Sequence, residues 1–152
     1  MNLMSRNLYF AYGSNLKLRQ LQRRCPGSTV AGRGRLAGYR LAFTRYSTKR
    51  KGGVADIVAE PESEVWGVRY EIDDEGMASL DAFEGVPRAY RRETVRVTDD
   101  EGVEREAQTY VANRTGEFAP GREYLDLIVS GGREHGLPDE YLRSIEAVKT
   151  HA

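Results

Sequence analysis

Apolar positions recur every second residue in some stretches and every third or fourth in others, and these two periods divide the chain into strands and helices. Residues 8–12 (Leu-Tyr-Phe-Ala-Tyr) form a short aromatic run closed by Gly13-Ser14-Asn15, a turn cluster that can also cap a helix. Leu16, Leu18 and Leu21 then stand among Lys17, Arg19, Gln20, Arg23 and Arg24, an amphipathic pattern that stops at Cys25-Pro26-Gly27. The order is strand, loop, helix, with Ser14 and Asn15 expected at the helix N-terminus. Residues 28–48 are β-branched, aromatic and basic with three scattered glycines, a pattern for one or two strands with a bend.

Residues 54–59 and 65–72 read as two further strands, with Trp66, Val68, Tyr70 and Ile72 on one face of the second and Pro61-Glu62-Ser63 as the turn between them. Asp73-Asp74-Glu75 puts carboxylates where a helix macrodipole favours them; Met77, Leu80 and Phe83 follow at helical spacing, and the helix runs into Gly85-Val86-Pro87. Residues 90–98 and 104–111 flank the polar turn 99–102 as a hairpin, with Val95 and Val97 turned to the core. Helices are expected over 122–134 and 138–149, Gly136 stopping the first and Pro138 starting the second. Six or seven strands with three or four helices predict an α+β domain with a curled, mostly antiparallel sheet, and residues 1–152 are expected to form a single domain.

Composition narrows the class of partner. Apolar residues make up 39% of the chain and charged ones 30%, ordinary values for a folded soluble domain. Twenty-three basic side chains balance twenty-three acidic ones, so no global field draws the protein to nucleic acid or to an anionic membrane, and the expected partner is a small molecule. The apolar runs are a few residues long, far short of the ~20 a bilayer requires. A lone cysteine, Cys25, forms no internal disulfide, and residues 1–7 lack the apolar stretch of a secretory signal, which makes the cytoplasm the expected location.

Two features could carry chemistry. In the loop Tyr12-Gly13-Ser14-Asn15-Leu16, a glycine lets backbone approach a ligand, and successive N–H groups could hold an oxyanion or carboxylate. A plain turn with Ser14 or Asn15 as helix cap fits the same residues equally well. Glu84 follows Leu80 by four residues on the apolar flank of a helix, where partial desolvation would raise its pKa toward neutral and let it exchange protons. Pattern alone favours a solvated glutamate at a helix end, although the negative end of the macrodipole is an uncomfortable place for it. Arg40, Arg45, Lys49, Arg50 and Lys51 read as a solvated basic loop. Ser14 lacks the G-x-S-x-G setting of a nucleophile, Gly32-Arg33-Gly34 lacks the third glycine of a dinucleotide site, and His135, His151 and Cys25 lack metal-ligand spacing, so neither a metal nor a cofactor is expected. Tyr90, Tyr124 and Tyr141 fit core-edge positions with a polar tip.

Four blocks, L-Y-F-A-Y-G-S-N-L at 8–16, E-V-W-G-V at 64–68, L-D-A-F-E-G-V at 80–86 and H-G-L-P at 135–138, occur in an order and spacing that resemble the gamma-glutamylcyclotransferase family along nearly the whole chain. The resemblance implies a small barrel-like, mixed but mostly antiparallel sheet flanked by helices. It also implies a cofactor-free enzyme that releases 5-oxoproline from a gamma-glutamyl compound. By the same resemblance Glu84 is the acid/base, Tyr12, Gly13, Ser14, Asn15 and Leu16 form the substrate loop, and Tyr90 and Tyr124 are the pocket tyrosines. The loop reads Y-G-S-N, not the Y-G-S-L of the glutathione-specific branch or the Y-G-T-L of the gamma-glutamylamine branch, and so resembles the branch acting on gamma-glutamyl amino acids. Related enzymes are often dimers, which leaves a homodimer open. A lyase trimming a gamma-glutamyl group from a specialised metabolite, or a non-catalytic binding module of the same fold, are the competing functions.

Overall fold

In the computed structural model, which describes residues 6–151, β1 (Arg6–Ala11) leads through a 3-10 turn (Ser14–Leu16) into α1 (Leu18–Arg24), and two long strands follow, β2 (Thr29–Ser47) and β3 (Gly52–Asp73). Then come α2 (Asp74–Glu84), the hairpin β4 (Tyr90–Thr98) and β5 (Glu104–Ala112), and the helices α3 (Arg122–Glu134) and α4 (Asp139–Glu146). Of the expected signal-free start, residues 1–5 lie outside the described part.

Five strands close into a barrel in the order β1-β3-β2-β4-β5. All neighbours are antiparallel except β1 and β5, which meet in parallel with Tyr9 opposite Gln108, and β2 reaches β4 through Arg35 opposite Thr98. Closing so few strands requires strong bending, supplied by register shifts at Val30/Gly32, Ala37/Tyr39 and Phe43/Arg45.

The middle shift corrects the expected strand count. Ala37 pairs with Glu64 and Tyr39 with Ala59, so Gly38, at φ +84°, stands opposite residues 60–63. Pro61-Glu62-Ser63 is therefore an outward bulge in one strand, and both flanks pair with the same partner. Proline, lacking an N–H for the ladder, marks such an interruption as readily as a chain reversal, and local sequence does not separate the two.

Phe10, Val65, Val68, Tyr70 and Ile72 are buried within the sheet; Leu125 and Ile128 of α3 are buried with them, as are Val95 and Val97 of β4. Helix α2 begins as its sequence requires, the Asp73 carboxylate accepting from the Gly76 N–H at 2.7 Å with Asp74 and Glu75 in the first turn. It ends on Gly85 in the left-handed region at φ 68°. Met77 and Leu80 point inward, but Phe83 is 56% exposed, contrary to its place in the apolar period, with the Arg24 guanidinium over its ring at 4.9 Å while Glu84 beside it turns inward.

Candidate active site

The loop after β1 is held from beneath by α3 and β3. A Cβ on Gly131 would lie 2.6 Å from the backbone of both Leu16 and Lys17, so only glycine lets α3 lie this close to the loop. The Tyr70 hydroxyl donates to the carbonyl of Asn15 at 3.0 Å, and His135 Nε2 lies 2.9 Å from that of Leu16. Lys17 pairs with Glu134 at 2.6 Å. These contacts clamp a segment that carries little regular structure of its own.

The expectation that Ser14 and Asn15 begin a helix is corrected. They occupy the 3-10 turn, α1 starts after Lys17, and neither side chain caps a helix. Each is engaged elsewhere. Ser14 Oγ accepts from Gln20 at 2.7 Å. Buried Asn15 spends its amide nitrogen on Tyr9 at 3.0 Å and on Glu84 Oε2 at 3.5 Å, while its oxygen accepts from Gln20 and Arg24 at 3.1 and 3.2 Å.

Glu84 is the last residue of α2. Its helix end is fastened to the sheet by Asp81, whose carboxylate is gripped by Arg92 at 2.6 and 2.8 Å and accepts from the Tyr110 hydroxyl at 2.7 Å. The Glu84 side chain keeps 17% of its surface exposed and lies 3.9 Å from Arg24. Burial raises its carboxyl to about 7, against the opposing pull of Arg24 and, less strongly, Arg50. This carboxyl therefore exchanges protons near neutral pH.

Around it is a recess of about 50 Å³ lined by Tyr9, Tyr12, Gly13, Ser14, Asn15, Ala55, Glu84, Tyr90, Tyr110 and Tyr124. The peptide of Ala55 organises two of these phenols: its N–H donates to Tyr124 at 2.8 Å, and its carbonyl accepts from Tyr90 at 2.6 Å. Tyr124, used as an acceptor, retains its own proton for a guest. Burial pushes its phenol up to about 12 and raises Tyr9, Tyr12 and Tyr90 as well, so all four stay neutral donors. Beneath Ala55, the fully buried Asp56 carboxylate binds the strands together, accepting from Thr44 and Arg114 at 2.8 Å each and from the Ala112 N–H at 3.0 Å.

Of the residues singled out from sequence, Glu84, Tyr12, Gly13, Ser14, Asn15, Tyr90 and Tyr124 meet at this recess. Leu16 does not: its side chain is fully buried in the core, and it serves the loop through its carbonyl. Tyr9 and Tyr110 were missed, as were Gln20, Arg24 and Arg50. Gln20 and Arg24 sit four residues apart on α1, a polar stripe among leucines that is a usable signal. Arg50 carried none, being read as part of a solvated loop. Instead it donates to Gln20 Oε1 at 3.0 Å and lies over the Tyr124 ring.

A closed barrel with a protonatable glutamate facing a backbone loop, in a recess of neutral phenols, defines a small-molecule site able to exchange protons with a guest. Among the described residues no cluster of three or more His, Cys, Asp or Glu is placed to hold a metal, and no helix is long and apolar enough to cross a membrane. The AIG2-like family matches over residues 64–145. A gamma-glutamylcyclotransferase of Mus musculus is 33% identical over 147 residues, covering 93% of this chain and 78% of the relative. That of Homo sapiens is 34% identical with the same coverage. A solved gamma-glutamyl cyclotransferase superposes with a TM-score of 0.93 at 32% identity, over 97% of this chain and 90% of the other. The chain belongs to the AIG2-like family and, within it, to the gamma-glutamylcyclotransferases.

Proposed function

We propose that this enzyme converts a gamma-glutamyl amino acid, or a related gamma-glutamyl amine, into 5-oxoproline and the free amine, with Glu84 as the proton carrier. The observation that carries the assignment of Glu84 is its carboxyl, brought to about 7 by burial, facing the loop at residues 12–16.

The chemistry asks for little more. The lone pair of the glutamyl α-amine forms a bond to the side-chain carbonyl carbon and closes a five-membered lactam. Collapse of the tetrahedral centre then breaks the bond to the departing nitrogen. Nucleophile and electrophile share one molecule, and holding them in ring-closing geometry is worth effective molarities on the order of 10⁵ to 10⁸ M, so neither an enzyme nucleophile nor a redox cofactor is called for. An α-amine with a pKa near ~8 is partly protonated at neutral pH. Glu84 takes the proton the attacking nitrogen sheds and returns it to the leaving one, a service worth roughly 10²- to 10⁴-fold. Backbone N–H groups of residues 13–15, with the Leu16 N–H given to the Gly13 carbonyl at 3.0 Å, and the free proton of Tyr124 are the donors available to the glutamyl carboxylate or the developing oxyanion.

The test is 5-oxoproline release from a panel of gamma-glutamyl compounds by the native enzyme and by Glu84→Gln. Loss of turnover in the variant with substrate still bound supports the assignment. Tight binding with no product from the native protein would instead mark a ligand-binding module.

A further inference from the structure

Outside the recess the walls change character. Ser14, Glu84, Tyr90 and Tyr124 line both the recess and a wider vestibule of about 350 Å³, so a nitrogen expelled at Glu84 departs into that vestibule. Among the described residues the recess contributes no cationic side chain, and in the vestibule Arg24, Arg45, Lys49 and Arg50 face a single lining carboxylate, that of Glu84.

Arg24 is the cation nearest that carboxylate, at 3.9 Å. Among the described residues the other three have no carboxylate within 4 Å. Arg45 donates to the Asn113 carbonyl at 2.9 Å and Arg50 to the Gln20 amide oxygen at 3.0 Å, both neutral acceptors that leave the guanidinium charge uncompensated. Each guanidinium has five N–H donors in a fork that matches a carboxylate. Lys49 stands exposed in the turn joining β2 and β3. Because the whole chain is neutral, this excess is local, and a concave wall of one sign concentrates potential inside it. A lone carboxylate would answer one of these cations, whereas three uncompensated ones suit a guest with more than one negative charge.

We infer that the vestibule selects gamma-glutamyl compounds whose leaving amine bears at least two negative charges, an acidic amino acid being the simplest case, with Arg45, Lys49 and Arg50 reading them. This rests on the reaction proposed above and adds the class of leaving group. Gamma-glutamyl-glutamate and gamma-glutamyl-glutamine differ by one carboxylate against one amide, so their ratio isolates the charge. A partly screened carboxylate–cation contact is worth roughly up to 5-fold, and two cations sharing it bring the expected advantage in kcat/KM to about 5- to 20-fold.

The experiment measures 5-oxoproline from gamma-glutamyl-glutamate, gamma-glutamyl-glutamine and gamma-glutamyl-butylamine, at low salt and at about 0.5 M salt. It uses the native enzyme, Lys49→Glu and, as a charge reversal on α4 away from the vestibule, Arg143→Glu. The acidic substrate should lead at low salt, lose its lead at high salt as screening shortens to a few ångströms, lose it in Lys49→Glu and keep it in Arg143→Glu. Equal kcat/KM for the glutamate and glutamine compounds at low salt overturns the inference, as does a preference untouched by salt and by Lys49→Glu, and in either case the reaction assignment stands. If none of the three compounds yields 5-oxoproline, the reaction assignment fails and the inference with it.

Discussion

Replacing Glu84 by glutamine should make the enzyme slower and, at alkaline pH, more stable. A buried carboxyl moved from 4.5 to about 7 is poorly solvated when ionised. Below the unfolded-state value both folded and unfolded chains hold the proton, and Glu84 contributes no pH dependence. Between roughly 4.5 and 7 the unfolded chain releases the proton while the native state keeps it, so native stability falls as pH rises. Above about 7 both are ionised and the deficit levels off. At ~1.4 kcal/mol per unit the ceiling is about 3 kcal/mol, which for a domain of this size is roughly 6–12 °C in Tm. Glutamine cannot ionise and still offers an oxygen to Asn15, so Glu84→Gln escapes most of that deficit. Thermal unfolding followed by circular dichroism at pH 5 and pH 8 should show little difference at the lower pH and a higher Tm for the variant at the upper one. In parallel, 5-oxoproline turnover should drop about 10²- to 10⁴-fold. A variant that melts with the native enzyme at pH 8 and retains turnover would refute both the buried ionisation and the proton-carrying role.

With Glu84 as the proposed base in the free enzyme, kcat/KM should fall about tenfold per unit below an acidic limb near pH 7; Arg24→Gln removes the cation that most opposes the rise and should move that limb to higher pH. A Cβ on Gly13 would lie 3.2 Å from Ala55 Cβ and 3.6 Å from the Tyr124 hydroxyl, so Gly13→Val should raise KM by about tenfold or more by crowding the recess, and an unchanged KM and kcat would count against the loop as a substrate contact. Asp56→Ala leaves the buried Thr44 hydroxyl and the Ile57 and Ala112 N–H groups without their acceptor, which should cost about 3 kcal/mol in urea unfolding, with a loss of kcat/KM because the adjacent Ala55 peptide orients Tyr90 and Tyr124.

How readily the chain discloses its site differs residue by residue. Glu84 and the loop at 12–16 stand out only when four short blocks are taken together, since a glutamate before a helix-stopping glycine and a turn after an aromatic strand are each commonplace. Helix α2 and the β4–β5 hairpin could be read almost to the residue, because caps, acidic first turns and glycine stops act within a few positions of where they are written. Leu16 was assigned to the substrate and lies in the core; Arg50 was assigned to solvent and lies against Tyr124. In both cases the deciding neighbour, Gly131 for one and Tyr124 for the other, is more than seventy residues away.

By itself the sequence determined what local physics controls: the bounds of α2 and of the β4–β5 hairpin, the neutral overall charge, and the four blocks that mark the family. Only the tertiary structure decided that residues 60–63 bulge within one strand, that five phenols and Glu84 share one recess, and that four cations gather at its mouth although the chain carries no net charge. The reason is barrel closure, which brings β1, β3, β5 and the end of α2 into contact through pairings with distant segments, and burial, which sets the Glu84 proton affinity, exists only once those segments have met.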